Sequence, residues 1–198
     1  MKTYGFLYGI GWAPWERYSH SAGASVARLL DREDDERDRP RRVLDLGSGR
    51  GQYAPELIRR GWDYVGVDNV ARAIEAARRR RIPGATFVLG DVTRLHVEEL
   101  GPFDLFLDVG CFQHLNQERA QLMGRGVTEL AKPRATLLML EFGLSGIGAV
   151  VGGTSEDRVR RAFPGWELVS VEQAETRGLG WPLSRTAPTW YRLTRVAG

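Results

Sequence analysis

The stretch "VLDLGSGRG", residues 43–51, runs from apolar β-forming side chains into three glycines, with Asp45 two places ahead of the first glycine. Glycines at such a turn let backbone N–H groups approach a ligand and adopt conformations that a side chain would forbid. Their spacing decides which ligand fits. A dinucleotide fingerprint needs G-x-G-x-x-G, whereas Gly47, Ser48, Gly49, Arg50, Gly51 and Gln52 bring the third glycine one residue early. A carboxylate so close to the turn suits a cationic ligand better than a pyrophosphate. Further acids close later apolar runs: Asp68 in "VGVDN", Asp91 in "GDVTRL" and Asp108 in "FDLFLDVG". Side chains suited to proton transfer are few. His114 follows the fourth apolar run and Glu141 ends the fifth, so either can serve as a base or orient a ligand, and His114 can equally cap the next helix. His20, His96 and Cys111 show no metal-ligand spacing, and no metal is expected.

These residues need a frame. Apolar runs at 42–46, 64–67, 86–89, 103–109 and 135–142 are continuous, as in strands buried on both faces of a parallel sheet. Helical periodicity separates them at 53–60, 70–80 and 117–131, with Gly61 and Gly84 as stop signals. "TRLHVEELGP" leaves room for only a short helix before the fourth strand. After the fifth strand, a capped helix in "TSEDRVRRAF" precedes β-like segments at 166–173 and 189–195, which should pair antiparallel because no helix separates them. The expected fold is α/β, a Rossmann-like doubly wound sheet of seven strands, mostly parallel with a C-terminal antiparallel hairpin. Ligands should bind at the carboxyl ends of its strands. Residues 1–198 read as one domain, with an N-terminal segment and helix over 1–40 and the core over 41–198.

Composition narrows the function classes. With 198 residues, 42% hydrophobic and 27% charged, the chain can bury one sizeable core. Its apolar runs are too short to span a bilayer. Lys2 and the Ala22-Gly23-Ala24 triplet resemble parts of a leader, but Pro14, Glu16, Arg17 and His20 break the apolar region a leader needs. A single cysteine excludes an internal disulfide and suits a reducing cytoplasm, the expected location. The net charge is +3 and the pI near 9.3. Only Lys2 and Lys132 are lysines, and the arginine run at 78–81 sits at a helix end, where cations suit the dipole. The basic balance therefore does not by itself indicate nucleic acid.

The ordered motifs resemble the class I S-adenosylmethionine-dependent methyltransferases. D-x-G-x-G-x-G at 45–51 is similar to the first motif of that superfamily. The resemblance implies cofactor contacts from Asp45, Gly47, Ser48, Gly49 and Gly51. It implies that Asp68, with Asn69 beside it, binds the two ribose hydroxyls, and that Asp91 and Val92 hold the adenine. Asp108, Val109 and Gly110 would pass beside the methionine end. The N-terminal "YGIGWAPWERY" resembles the Pro-Trp-acid segment of the thiopurine, tellurite-resistance and heterocyclic-toxin methyltransferases. That likeness implies a lid in which Trp15 meets the cofactor, and Trp12, Trp15 and Tyr18 meet the acceptor.

Phe112, His114, Phe142 and Trp181 are the remaining candidate acceptor contacts, because the loops after strands four and five and the 177–190 loop should open on the same face. Trp190 begins a strand and reads as core, as does Cys111. The expected partner is a small acceptor, aromatic or heterocyclic, methylated on O, S or N. Two other readings stay open: an RNA methyltransferase, although the NPPY-type tetrapeptide of adenine-modifying enzymes is replaced by "DVGC", and a non-catalytic S-adenosylmethionine-binding module.

Overall fold

A computed structural model describes residues 26–33, 41–142, 154–174 and 188–196. Helix α1 covers 26–33, followed by β1 (Arg41–Leu46), α2 (Ala54–Arg59), β2 (Trp62–Asp68), α3 (Ala71–Arg79) and β3 (Ala85–Leu89). Then come α4 (Val97–Leu100), β4 (Phe103–Val109), a 3-10 turn (Phe112–His114), α5 (Gln117–Leu130), β5 (Ala131–Phe142), α6 (Glu156–Ala162), β6 (Trp166–Gln173) and β7 (Pro188–Arg195). The seven strands lie in the order β3-β2-β1-β4-β5-β7-β6. The first five are mutually parallel, and β7 runs antiparallel to both β5 and β6. The expected terminal hairpin thus joins the sheet through its second strand. Among the described residues no helix is long and apolar enough to cross a membrane.

Side-chain alternation divides the core between the two faces of the sheet. On β4, Leu105 and Leu107 pack with Leu29, Leu30, Tyr64, Ile74 and Trp190 on the face of α1, α2 and α3. Phe106, of the other parity, and Phe103, which precedes the register shift between Phe103 and Leu105, join Met123, Val127, Val159 and Phe163 on the face of α5 and α6. A chain of aromatic contacts runs through this second cluster: Phe103 to Phe106 at 5.9 Å, Phe106 to Trp166 at 6.1 Å, Trp166 to Phe163 at 6.4 Å and Phe163 to Phe112 at 5.7 Å. Such pairs add roughly 0.5–1.5 kcal/mol each beyond the area they bury, and this series ties α6 to the turn after β4.

The expected start of β5 at 135 marks where its regular pairing begins. Phe103 is opposite Ala131 but Leu105 is opposite Thr136, so an irregularity holds Pro133 and Arg134, the latter at φ 64°. Proline cannot donate to a ladder and is tolerated at such a bulge. Below it, Glu33 of α1 accepts from Thr136 Oγ1 at 2.8 Å and Arg192 Nε at 2.7 Å, fastening the helix beneath β5 and β7.

Candidate functional site

The glycine turn is built by β2 as much as by its own sequence. Gly47, Gly49 and Gly51 have φ of 75°, 54° and 69°, the left-handed region that favours glycine. The N–H groups of Gly47 and Ser48 both donate to the Val67 carbonyl, at 2.8 and 3.0 Å. Gly49 N donates to Asp68 Oδ2 at 2.9 Å, and Val70 N donates to Oδ1 of the same carboxylate at 2.8 Å. Each Asp68 oxygen thus has one backbone donor, and a carboxylate with about four acceptor positions retains room for two more. Those are the acceptors a ribose diol requires. Burial raises the pKa of Asp68 while the two backbone donors oppose that rise. Asn69, beside it, is exposed.

Asp45 lies on the opposite side of β1 from Leu44 and Leu46, 2% exposed, and accepts from the Tyr64 hydroxyl at 2.6 Å. Burial pushes its pKa up to about 7, the Tyr64 hydrogen bond pulls it down, and the charges of Asp108 and Asp68 add to the rise. Ser48 Oγ is also buried, without a hydrogen-bond partner.

Asp91 is engaged more fully than the sequence suggested. Its Oδ1 accepts from Thr93 N and Oγ1 at 2.9 and 2.8 Å, and Arg119 Nη2 reaches both oxygens at 3.1 and 2.8 Å. Burial works against these bonds, which hold its carboxyl below the ordinary range. Val92 is buried in the α5–α6 core.

Asp108 stands near the carboxyl end of β4, where its carboxylate also serves the backbone of the next turn. Its oxygens accept from Cys111 N at 2.8 Å and Phe112 N at 3.1 Å, so its carboxylate shapes the turn after β4. Burial lifts its pKa to about 6, against the pull of the neighbouring Glu141 and those two N–H groups. Gly110 (φ 76°) donates to the Leu140 carbonyl at 2.9 Å, joining the ends of β4 and β5; Val109 precedes it, half-buried.

Glu141 is fully buried on β5, on the α5–α6 side of the sheet with Leu137 and Met139. Burial and then the Asp108 charge drive its pKa well above the ordinary range. Neither of its oxygens reaches a partner with normal hydrogen-bond geometry. Asp108, close to it and itself buried, adds to the cost of a charge on Glu141.

His114 closes the 3-10 turn with an exposed surface. Crowding by protein atoms and then the Arg158 guanidinium push its pKa down to about 4, leaving the ring neutral at pH 7. Its Nε2 lies 3.1 Å from Gln113 Nε2, an arrangement in which the imidazole nitrogen accepts. His114 does not cap the next helix. Asn116 does, accepting from Arg119 N at 2.9 Å. Phe112 is buried against Phe163, an anchor for the turn. Trp190 is 4% exposed and part of the core, as expected. Cys111 is only half-buried and packs on the glycine turn: a Cβ on Gly47 would lie 2.7 Å from its own. Trp12, Trp15, Tyr18, Trp181 and the Phe142 side chain lie outside the described residues.

The contacts of three arginines of the site escaped the sequence reading. Arg80 Nη1 donates to the carbonyls of Arg50 and Gly51, at 2.7 and 2.9 Å, bracing the glycine turn. Arg78 reaches the Phe87 carbonyl on β3 at 2.7 Å, so the 78–81 run is more than a solvated helix end. Arg158 of α6 reaches the turn after β4. All three bond to backbone carbonyls outside their own helices, which residue type and spacing do not reveal.

Residues 43–134 match a family described as a methyltransferase domain. Among curated proteins, the chain is 38% identical over 95 residues to a magnesium-protoporphyrin O-methyltransferase from Rhodobacter capsulatus, across 46% of this chain and 40% of that protein. It spans less than half the length of the curated relatives it matches. A solved magnesium protoporphyrin IX methyltransferase from Synechocystis, with bound S-adenosylhomocysteine, superposes with a TM-score of 0.70 at 19% identity, covering 90% of this chain and 83% of that one. A TehB-like S-adenosylmethionine-dependent methyltransferase from Corynebacterium glutamicum gives 0.68 at 21% identity, covering 98% and 100%.

Proposed function

We propose that this chain, which carries a class I S-adenosylmethionine-dependent methyltransferase domain, transfers a methyl group to O, S or N of a small aromatic or heterocyclic acceptor. The observation that carries the reading is the pair of buried acids at the carboxyl ends of β1 and β2 beside a glycine turn, Asp68 held by backbone donors and Asp45 by the Tyr64 hydroxyl. A cationic ligand bearing a diol fits that surround. Bound S-adenosylmethionine supplies a methyl group already activated on a sulfonium.

The chain's own contribution is alignment and exclusion of water. Asp68 holds the ribose hydroxyls through its remaining acceptor positions. The glycine turn offers backbone close to the ligand, with Asp45 and Ser48 beneath it and Asn69 at its rim. Asp91 and Val92 flank the adenine, with Asp91 held in place by Arg119. Val109 and Gly110 pass beside the methionine end.

On the acceptor side, Glu141, whose buried carboxyl favours its uncharged form, orients the acceptor through a hydrogen bond. His114, neutral at pH 7 with Nε2 accepting from Gln113, offers its other ring nitrogen to the acceptor as an N–H donor. With a pKa near 4 it is a weak base, so its contribution is greatest for acceptors that shed a proton readily. Trp12, Trp15, Tyr18, Phe142 and Trp181 complete the acceptor pocket, the first three on a lid formed by the N-terminal segment. The magnesium-protoporphyrin enzymes among the relatives favour a small acceptor.

Calorimetry with S-adenosylhomocysteine and NAD tests the cofactor, and tight NAD binding with no response to S-adenosylhomocysteine would sink the assignment. Incubation with S-adenosylmethionine and a panel of heteroaromatic thiols and phenols, read by mass, tests the acceptor. Methylation of an RNA oligomer and of no panel member would move the chain to the nucleic-acid reading. Hydrogen exchange over residues 1–18 tests the lid, whose amides should gain protection when S-adenosylhomocysteine binds.

A further inference from the structure

We propose that Arg158 is a positioning residue for the acceptor side of the site, fastening the turn Phe112–His114 to α6. The inference rests on the reading above that this turn carries acceptor contacts. Arg158 Nη2 donates to the Phe112 carbonyl at 3.2 Å and also to the Leu115 carbonyl, and Nη1 lies 3.5 Å from the Gln113 carbonyl. The guanidinium carbon sits 4.8 Å from the centre of the Phe112 ring. One planar cation thus gathers carbonyls from both ends of a single turn while packing on an aromatic ring of that turn. A fork of five donors can do this, and a lysine ammonium cannot match both the reach and the plane.

The neighbouring parts make this contact consequential. The turn is held from inside by Asp108, which accepts the N–H groups of Cys111 and Phe112. Arg158 supplies the complement from outside, taking up the carbonyls. α6 is seated by Ser155 Oγ, which accepts from Arg158 N at 3.4 Å, and by Phe163, which packs on Phe112. Because the guanidinium also faces His114 and Glu141, its charge disfavours a proton on the imidazole and eases ionisation of the carboxyl. Arg158 therefore fixes where His114 stands and adds its charge to the burial that lowers the imidazole pKa.

The test uses the full chain with Arg158→Gln and Arg158→Lys, read without any acceptor. In Arg158→Gln the amides of His114 and Leu115, which close the turn, should exchange on the order of tenfold faster, the scale of losing the bonds that anchor it. The central strands should keep their protection, and S-adenosylhomocysteine should bind within about threefold of the parent, as expected for a residue that does not touch it. His114, followed by its imidazole NMR shifts, should titrate higher once the cation is gone. Arg158→Lys should restore the low His114 titration, because charge suffices, but not the turn protection, because the fork is lost. Unchanged turn exchange and an unchanged His114 titration in Arg158→Gln would overturn the proposal, as would full turn protection in Arg158→Lys. Should Arg158→Gln fail to fold, the lysine variant decides through turn exchange alone. If the parent itself fails to bind S-adenosylhomocysteine, the functional reading fails while the exchange results still judge the clamp.

Discussion

The Tyr64 hydroxyl donates to Asp45 Oδ2 at 2.6 Å, and both side chains are buried beneath the glycine turn. The bond stabilises the charged form of an acid that burial would otherwise keep protonated. Asp45, lifted from 3.8 to about 7, binds a proton in the folded chain that the unfolded chain has already released. Its contribution to stability is therefore fully present below about pH 4 and is lost as pH rises to about 7. Thermal melts of the ligand-free chain should fall across that window. Replacing Tyr64 by Phe removes the donor, and the decline should then extend to higher pH. An unchanged profile in Tyr64→Phe would show that Asp45 does not govern it.

A cationic cofactor reverses this balance, because a positive charge near Asp45 favours its ionised form. S-adenosylmethionine should bind more tightly as pH rises from about 6 to 8, with proton release on binding. Calorimetry in two buffers of different ionisation enthalpy measures that release directly. Binding without proton exchange at pH 6.5 would place the positive charge away from Asp45.

Asp68→Ala should weaken S-adenosylhomocysteine binding by roughly 2–3 kcal/mol, the scale for hydrogen bonds to a charged group. The same change frees the N–H groups of Gly49 and Val70, so a modest loss of thermal stability should accompany it. Asp68→Asn keeps a carbonyl acceptor and should fall between the two. Equal affinity of the parent and the alanine variant would place the ribose elsewhere.

Arg80→Ala should lower cofactor affinity by about 1 kcal/mol, the ordinary worth of a lost hydrogen bond, although Arg80 bonds only to the back of the turn. Its guanidinium satisfies the carbonyls of Arg50 and Gly51, so its loss should loosen the turn. Hydrogen exchange at Gly49 and Gly51 should accelerate in the variant, while protection of β1 and β2 persists.

Gly124→Ala tests the seat of α6. A Cβ there would stand 1.8 Å from the Ala162 carbonyl oxygen, and backbone on both sides leaves little to yield. The variant should lose about 1–3 kcal/mol and melt several degrees lower. Protection should fall first over α6 and the turn that Arg158 holds.

Much of this protein is local in origin. Continuous runs of β-forming residues, helical periodicity and stop glycines depend on neighbours a few positions apart, so strands, helices and the turn at 47–51 were legible in the sequence. The placement of Asp45 and Asp68 followed, since a residue at the end of a buried strand can only lie at the sheet's carboxyl edge. Periodicity carries no information about lateral neighbours, and the sheet alone decided that β7 lies between β5 and β6. Side-chain direction was equally out of reach. Asp108 ends its strand as expected, yet its carboxylate serves the N–H groups of the turn after β4, because those donors need a buried acceptor. Arg80 reads as surface charge at a helix end and Arg158 as one position of a capped helix, and only the tertiary structure brings carbonyls from distant segments within their reach.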